Sequence, residues 1–172
     1  MNKIYILLLT LTLSSTYGQV AIGKSSISSK SVSLEFGSEN RGLILPWVTS
    51  STAVTDAVDG TLIFDSADKK IKYRKNGAWF DLSAGTTGVV DTTLQNDLTE
   101  SASAGTAIGK TAATNKTPGI LVLTDNDKAM ILPKVASPHL NIINPAAGMI
   151  VYDTDHRQVA VFNGNVWSFW KP

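Results

Sequence analysis

One phrase is written twice in this chain. "LILPWV" occupies residues 43–48 and "MILPKV" occupies 130–135. The likeness extends well beyond it: "AIGKSSISSKSVSLEFGSENRGLILPWVTS", from Ala21, lines up with "AIGKTAATNKTPGILVLTDNDKAMILPKVAS", from Ala107. With one residue added in the second copy, Leu34 meets Leu121, Ile44 meets Ile131, Leu45 meets Leu132, Pro46 meets Pro133 and Val48 meets Val135. The match resumes at Gly60/Gly148, Asp65/Asp153, Asn76/Asn163, Gly77/Gly164 and Trp79/Trp167. A duplicated chain folds as related units, and this restricts its architecture more than any composition does.

Each copy reads as β. In the first, "GTLIFD" is β-branched and aromatic, "SADKK" is turn-like, and "IKYRK" alternates apolar with basic residues. Asn76-Gly77 then leads into "AWFDL", and Asn-Gly between two strand-like runs is a strong hairpin signal because both residues tolerate positive φ. The second copy repeats the order as "GMIVYD", "TDHRQ", "VAVF", Asn163-Gly164 and "VWSFW". The expected fold is mainly β: two tandem small antiparallel β-meander units with short helical turns. Asp65 and Asp153 close the first strand of each meander, where an Asx side chain bonds the turn backbone. Pro46 and Pro133 cannot donate to a ladder, so their strands should end or lie at an edge there. "STAVTDAV" and "SPHLNIIN" suit one or two helical turns, with Ser137 as N-cap, Pro138 in the first position, and Leu140 and Ile143 sharing a face.

The domain plan follows from these marks. Residues 1–18 carry Lys3, an apolar run from Ile4 to Leu13 and a small-residue end, the pattern of a secretory signal peptide. The run is short of the roughly 20 residues that span a bilayer, so no membrane insertion is expected after cleavage. Residues 19–83 form repeat unit 1 and 106–172 repeat unit 2. Between them, 84–105 is a Ser/Thr/Gly/Ala-rich linker in which Val90, Leu94 and Leu98 mark a weak helix from about Asp91 to Glu100. Lys and Arg total 15 against 14 Asp and Glu, and removal of Lys3 with the leader balances them. A balanced chain has no electrostatic footprint for nucleic acid. There is no Cys, so disulfides do not reinforce these units, and a single core of roughly 65 residues is marginal. Packing between units or association of chains would supply the missing burial.

Catalytic signatures are thin, and the expectation is a non-enzymatic protein with no cofactor. His139 and His156 both fall in turn-like segments of the second copy, and no HExxH, GxSxG, P-loop or CxxC pattern occurs. Asp125, Asn126 and Asp127 are oxygen ligands in the style of Ca²⁺ sites, but they lack the Gly and closing Glu of an EF-hand loop, and a polar turn is the better reading. Trp79 and Trp167 hold matching places and read as rings closing small cores. Trp47 aligns with Lys134, and Phe169 and Trp170 have no counterpart. These three are the candidate contact residues, for a subunit interface or for a sugar.

The ordered pieces "AIGK", "LILPWVTS", "GTLIFD" and "NGAW", repeated as "AIGK", "MILPKVAS", "GMIVYD" and "NGNVW", resemble a family of secreted Bacteroidota proteins. That family carries Leu-x-Leu-Pro-x-Val-Thr, Gly-x-Leu-x-Tyr-Asn/Asp and Asn-Gly-x-x-Trp units beside fibre-like, trimerising segments. The resemblance implies a secreted or cell-surface location (the periplasm being the other compartment on that route) and a structural or adhesive role. It implies self-association or binding to other surface proteins, and brings no catalytic residue. Asn115-Lys116-Thr117 fits an N-glycosylation triplet. "DSA" at 65–67 and "DTT" at 91–93 fit the acceptor pattern for bacterial O-glycosylation at Ser66 and Thr92. The alternative function is a carbohydrate-binding module built on Trp47, Phe169 and Trp170.

Overall fold

The computed structural model describes residues 18–83, 85, 88–93, 95–99, 101 and 104–171; the expected leader up to residue 17 lies outside them. The first half contributes β1 (Val20–Ile22), β2 (Val32–Phe36), β3 (Leu43–Ile44), β4 (Trp47–Val48), β5 (Leu62–Asp65), β6 (Lys70–Lys75) and β7 (Ala78–Asp81). The second contributes β8 (Thr106–Ile108), β9 (Leu121–Leu123), β10 (Ala129–Ile131), β11 (Lys134–Val135), β12 (Met149–Asp153), β13 (Gln158–Phe162) and β14 (Trp167–Trp170). One short helix, α1 (Pro138–Asn141), precedes β12. The protein is mainly β with very little helix.

Antiparallel meanders form where the alternation lay. In β5–β6–β7, Phe64 lies opposite Ile71 and Tyr73 opposite Phe80. In β12–β13–β14, Ile150 lies opposite Val161 and Phe162 opposite Trp167. Each meander gains a parallel strand beside its first: β4 with Trp47 opposite Phe64, and β11 with Lys134 opposite Tyr152.

The two meander units are not self-contained, and here the expectation is corrected. β3 from the first half adds to β12 of the second, with Ile44 opposite Met149. β10 from the second half adds in parallel to β2 of the first, with Ile131 opposite Glu35, in a sheet ordered β1–β2–β10. A separate parallel pair joins β8 to β9. Short parallel strands that pass from one sheet to the next suggest a β-solenoid arrangement rather than two meanders in tandem. The physical reason is burial: a copy this small cannot cover its own strands, so each lends one to the other.

Proline makes the exchange. Leu45 donates its N–H to the Gly148 carbonyl at 3.0 Å, in the sheet of β3 and β12. The next residue, Pro46, accepts from Phe64 N–H at 2.9 Å, in the sheet of β4 and β5. Pro133 accepts from Tyr152 N–H at 2.9 Å in the same way. Proline lacks the N–H that would prolong the first ladder but keeps the carbonyl that starts the second.

Packing follows the topology. One core joins the two meanders: Phe64 and Ile71 meet Ile150 and Val161, with Leu45 and Ala147 beside them. Trp47 packs on this core, its ring 6.0 Å from that of Phe64, and its indole N–H donates to the Ala147 carbonyl at 2.8 Å. The opposite face of β12–β13 carries a second core of Val135, Ile142, Met149, Val151, Ala160 and Phe162, closed by Trp167.

Local details refine the turns. Asn76 and Gly77 have φ of 50° and 73°, and the two-residue hairpin between Lys75 and Ala78 forms as expected. In the second copy the ladder ends one pair earlier, at Phe162 and Trp167, which leaves a four-residue loop; only Gly164 takes positive φ in it, and the buried Asn163 amide oxygen accepts from Asn165 and Val166 N–H. Ser137 and Pro138 begin α1, but the helix stops at Asn141, so Ile142 turns inward while Leu140 and Ile143 stay exposed. In the linker, Gln95 and Asn96 both donate to the Thr92 carbonyl, giving turns in place of the expected helix; Leu94 and Glu100 lie outside the described residues. Val90 packs against the first core, and Val89 N–H reaches the Asn163 carbonyl at 3.2 Å.

Candidate association surface

The buried polar groups of this fold are structural fasteners. Asp65, at the end of β5, accepts from the N–H of Ser51 at 2.7 Å, Ala67 at 3.1 Å and Asp68 at 3.2 Å, and from Lys72 Nζ at 2.8 Å. Burial opposes its charge, but Lys72 and these N–H donors outweigh burial and hold the carboxyl at about 2. Lys72, which also pairs with Asp68, is raised despite its own burial. Asp153 repeats the design at the end of β12, accepting from Ser137, Asp155 and His156 N–H, from His156 Nδ1 at 2.9 Å and from Gln158 Nε2 at 3.2 Å. It too is lowered: its burial is overcome by His156, Gln158 and the backbone donors. Each Asp ties the turn after its strand to the chain following the Ile-Leu-Pro-x-Val phrase. Glu35 is held at about 2 by Lys24, 2.6 Å away, and by Ser28 N–H.

The expected site residues disperse. Trp47 belongs to the core and is not an exposed platform. Phe169 and Trp170 are 40% and 48% exposed; Trp170 still donates its indole N–H to the Leu82 carbonyl. His139 meets Phe169 edge-on at 5.7 Å, and His156 serves Asp153. Asp125 accepts from Lys110 N–H and Lys128 Nζ, both at 2.8 Å, so its oxygens are engaged in closing a turn. Among the described residues no group of three His, Cys, Asp or Glu is arranged to hold a metal ion. Ser66 and Thr92 are half-buried in turns. Trp79 and Trp167 hold equivalent places with different partners: Arg74 lies 5.5 Å over the Trp79 ring, whereas Phe162 lies 5.2 Å from Trp167.

What the second half does present is apolar surface and open strand edge. Leu140 and Ile143 are 73% and 85% exposed, on and just after the short helix whose His139 meets the exposed Phe169. Ile120 and Leu121 are exposed at β9, whose sheet holds only β8 and β9 among the described residues. An unpaired edge carrying apolar side chains is a template for another chain. Sequence reading missed these edges, because a strand's partners are invisible in a single copy. Comparing the two copies' pairing, not their residues, exposes them.

Residues 104–171 match the family model described as "Phage tail like trimerisation region". The matched segment contains β8 through β14 and every exposed side chain named in the preceding paragraph. No curated protein and no solved structure matches the chain. No helix among the described residues is long and apolar enough to cross a membrane.

Proposed function

We propose that this protein is an exported, non-enzymatic structural module of a surface or extracellular assembly, and that it works as a homotrimer to whose interface the second half contributes. The observation that carries the reading is the trimerisation-region match over residues 104–171, the stretch that leaves Leu140, Ile143 and the β9 edge uncovered. Support for export comes from the charged and apolar leader and from the repeated Leu-Pro-x-Val and Asn-Gly-x-x-Trp units shared with secreted Bacteroidota proteins. The duplicated scaffold serves that role as two related units, coupled by exchanged strands. Light scattering on the purified chain tests it: three times the protomer mass is expected, and a strict monomer at high concentration refutes trimerisation.

A glycan-binding reading retains one supporting observation, the exposed Phe169 ring, which meets His139 edge-on. Glycan-array binding that disappears in Phe169→Ala supports it; silence of the folded trimer on the array removes it.

A further inference from the structure

Resting on the trimer reading above, we propose that the outer edge of β9 is a strand acceptor, and that β3 of a second copy of this chain fills it. β1–β2 and β8–β9 are the same parallel pair: Gly37 N–H donates to the Ile22 carbonyl at 2.7 Å, and at the equivalent place Thr124 N–H donates to Ile108 at 2.8 Å. Yet β2 is paired on both edges, with β1 and β10, whereas among the described residues β9 pairs with β8 alone. The occupant of the second edge in the first half is β10, and the counterpart of β10 in the repeat is β3.

Backbone polarity gives the register independently. Thr106 N–H donates to Ile120 and Thr124 N–H donates to Ile108, so residues 120, 122 and 124 turn their backbone groups toward β8. By alternation Leu121 and Leu123 present theirs at the open edge. Leu45 N–H donates to Gly148, so Leu43 and Leu45 face β12, and Ile44 turns its N–H and carbonyl to the free side of β3. A parallel pairing of these edges sets Ile44 opposite Val122. Ile44 N–H then reaches the Leu121 carbonyl, and Leu123 N–H reaches the Ile44 carbonyl. Within the chain, Ile131 already lies opposite Glu35, and these are the repeat equivalents of Ile44 and Val122. Equivalence and polarity therefore agree on one register. Ile44 is 50% exposed, and in this register its side chain shares a face with that of the half-buried Val122. Such an interface is head-to-tail, and it closes into a ring when the rotation between copies allows; the trimerisation match selects closure at three.

The absence of native cysteine makes the test clean. In Ile44→Cys/Val122→Cys, neighbouring strands about 4.8 Å apart place the two thiols within disulfide reach. Mild oxidation is expected to give reducible dimers and trimers on denaturing gels, and mixing the two single variants is expected to give dimers. A second variant, Leu123→Pro, removes the outward N–H that would reach the Ile44 carbonyl and that β8 does not use. It is expected to keep the monomer's circular dichroism and to weaken association by roughly tenfold or more. A chain that is trimeric by light scattering but shows no cross-link, and stays equally trimeric as Leu123→Pro, overturns the strand exchange and leaves the trimer standing. A monomeric chain overturns both. Should Leu123→Pro fail to fold, the cross-link alone decides.

Discussion

Replacing Asp65 with Asn tests whether the buried carboxylates are the fasteners of this fold. Asp65 is 1% exposed and is held at about 2, against an ordinary 3.8. At about 1.4 kcal/mol per pH unit of displacement, its ionised form stabilises the folded state by roughly 2 kcal/mol. Solvent reaching the partner Lys72 reduces this to between about 1 and 2 kcal/mol. A depressed carboxyl contributes fully above its unfolded value and loses its contribution as pH falls through the folded one. The loss therefore lies between about pH 4 and pH 2. Asn retains an acceptor for the turn N–H groups but leaves the Lys72 ammonium with Asp68 as its one carboxylate, beside the Ser51 hydroxyl. The expected result in urea unfolding is a deficit of about 1–2 kcal/mol for Asp65→Asn at pH 7 that shrinks as both proteins approach pH 2. Parallel stability curves for the two proteins over that pH range would refute the reasoning.

Other substitutions test the junction between the halves. Trp47→Phe keeps the packing but removes the donor to the Ala147 carbonyl, with an expected cost of about 1–3 kcal/mol by chemical denaturation. Gly148 has φ of 80°, and a Cβ there would lie 3.0 Å from Phe64 Cβ and 3.1 Å from the Trp47 indole nitrogen; Gly148→Ala is expected to cost about 1–3 kcal/mol, read as a lowered Tm. Ile143→Glu, at a residue 85% exposed, is expected to leave monomer stability within about 0.5 kcal/mol while weakening association in sedimentation.

The elements legible in the sequence were those written locally. "GTLIFD" and "GMIVYD" are β-branched and aromatic runs and became β5 and β12; Asn76-Gly77 carries its own turn geometry and became the tight hairpin. Asp65 and Asp153 bond turn backbone because an Asx carboxylate finds donors two and three residues ahead. The partners of two-residue strands were not legible. β3 and β4 are neighbours in sequence but belong to different sheets, and nothing in "LILPWV" states which strand of the other half each one meets. Trp47 failed as a surface candidate for the same reason. Its lack of a counterpart suggested exposure, whereas its ring fills a junction between copies that neither copy contains alone.

The difference between the two copies points to where the assembly gains its burial. Equivalent outward positions of the meanders are Thr61, Lys72 and Arg74 in the first half and Met149, Ala160 and Phe162 in the second. In the first, Lys72 pairs with Asp65 and Arg74 covers Trp79, so that face is finished with charge and needs no further cover. In the second, Phe162 replaces the arginine under Trp167, and the face becomes an apolar core that α1 and Ile142 close. Closing it with so short a helix leaves the residues flanking Ile142 on the outside, and these are Leu140 and Ile143. The apolar exchange that built the second core therefore also created the exposed surface beside it. A face of that kind is stable in water when a further copy covers it. It lies within the segment matched to a trimerisation region, and not in the charged first half.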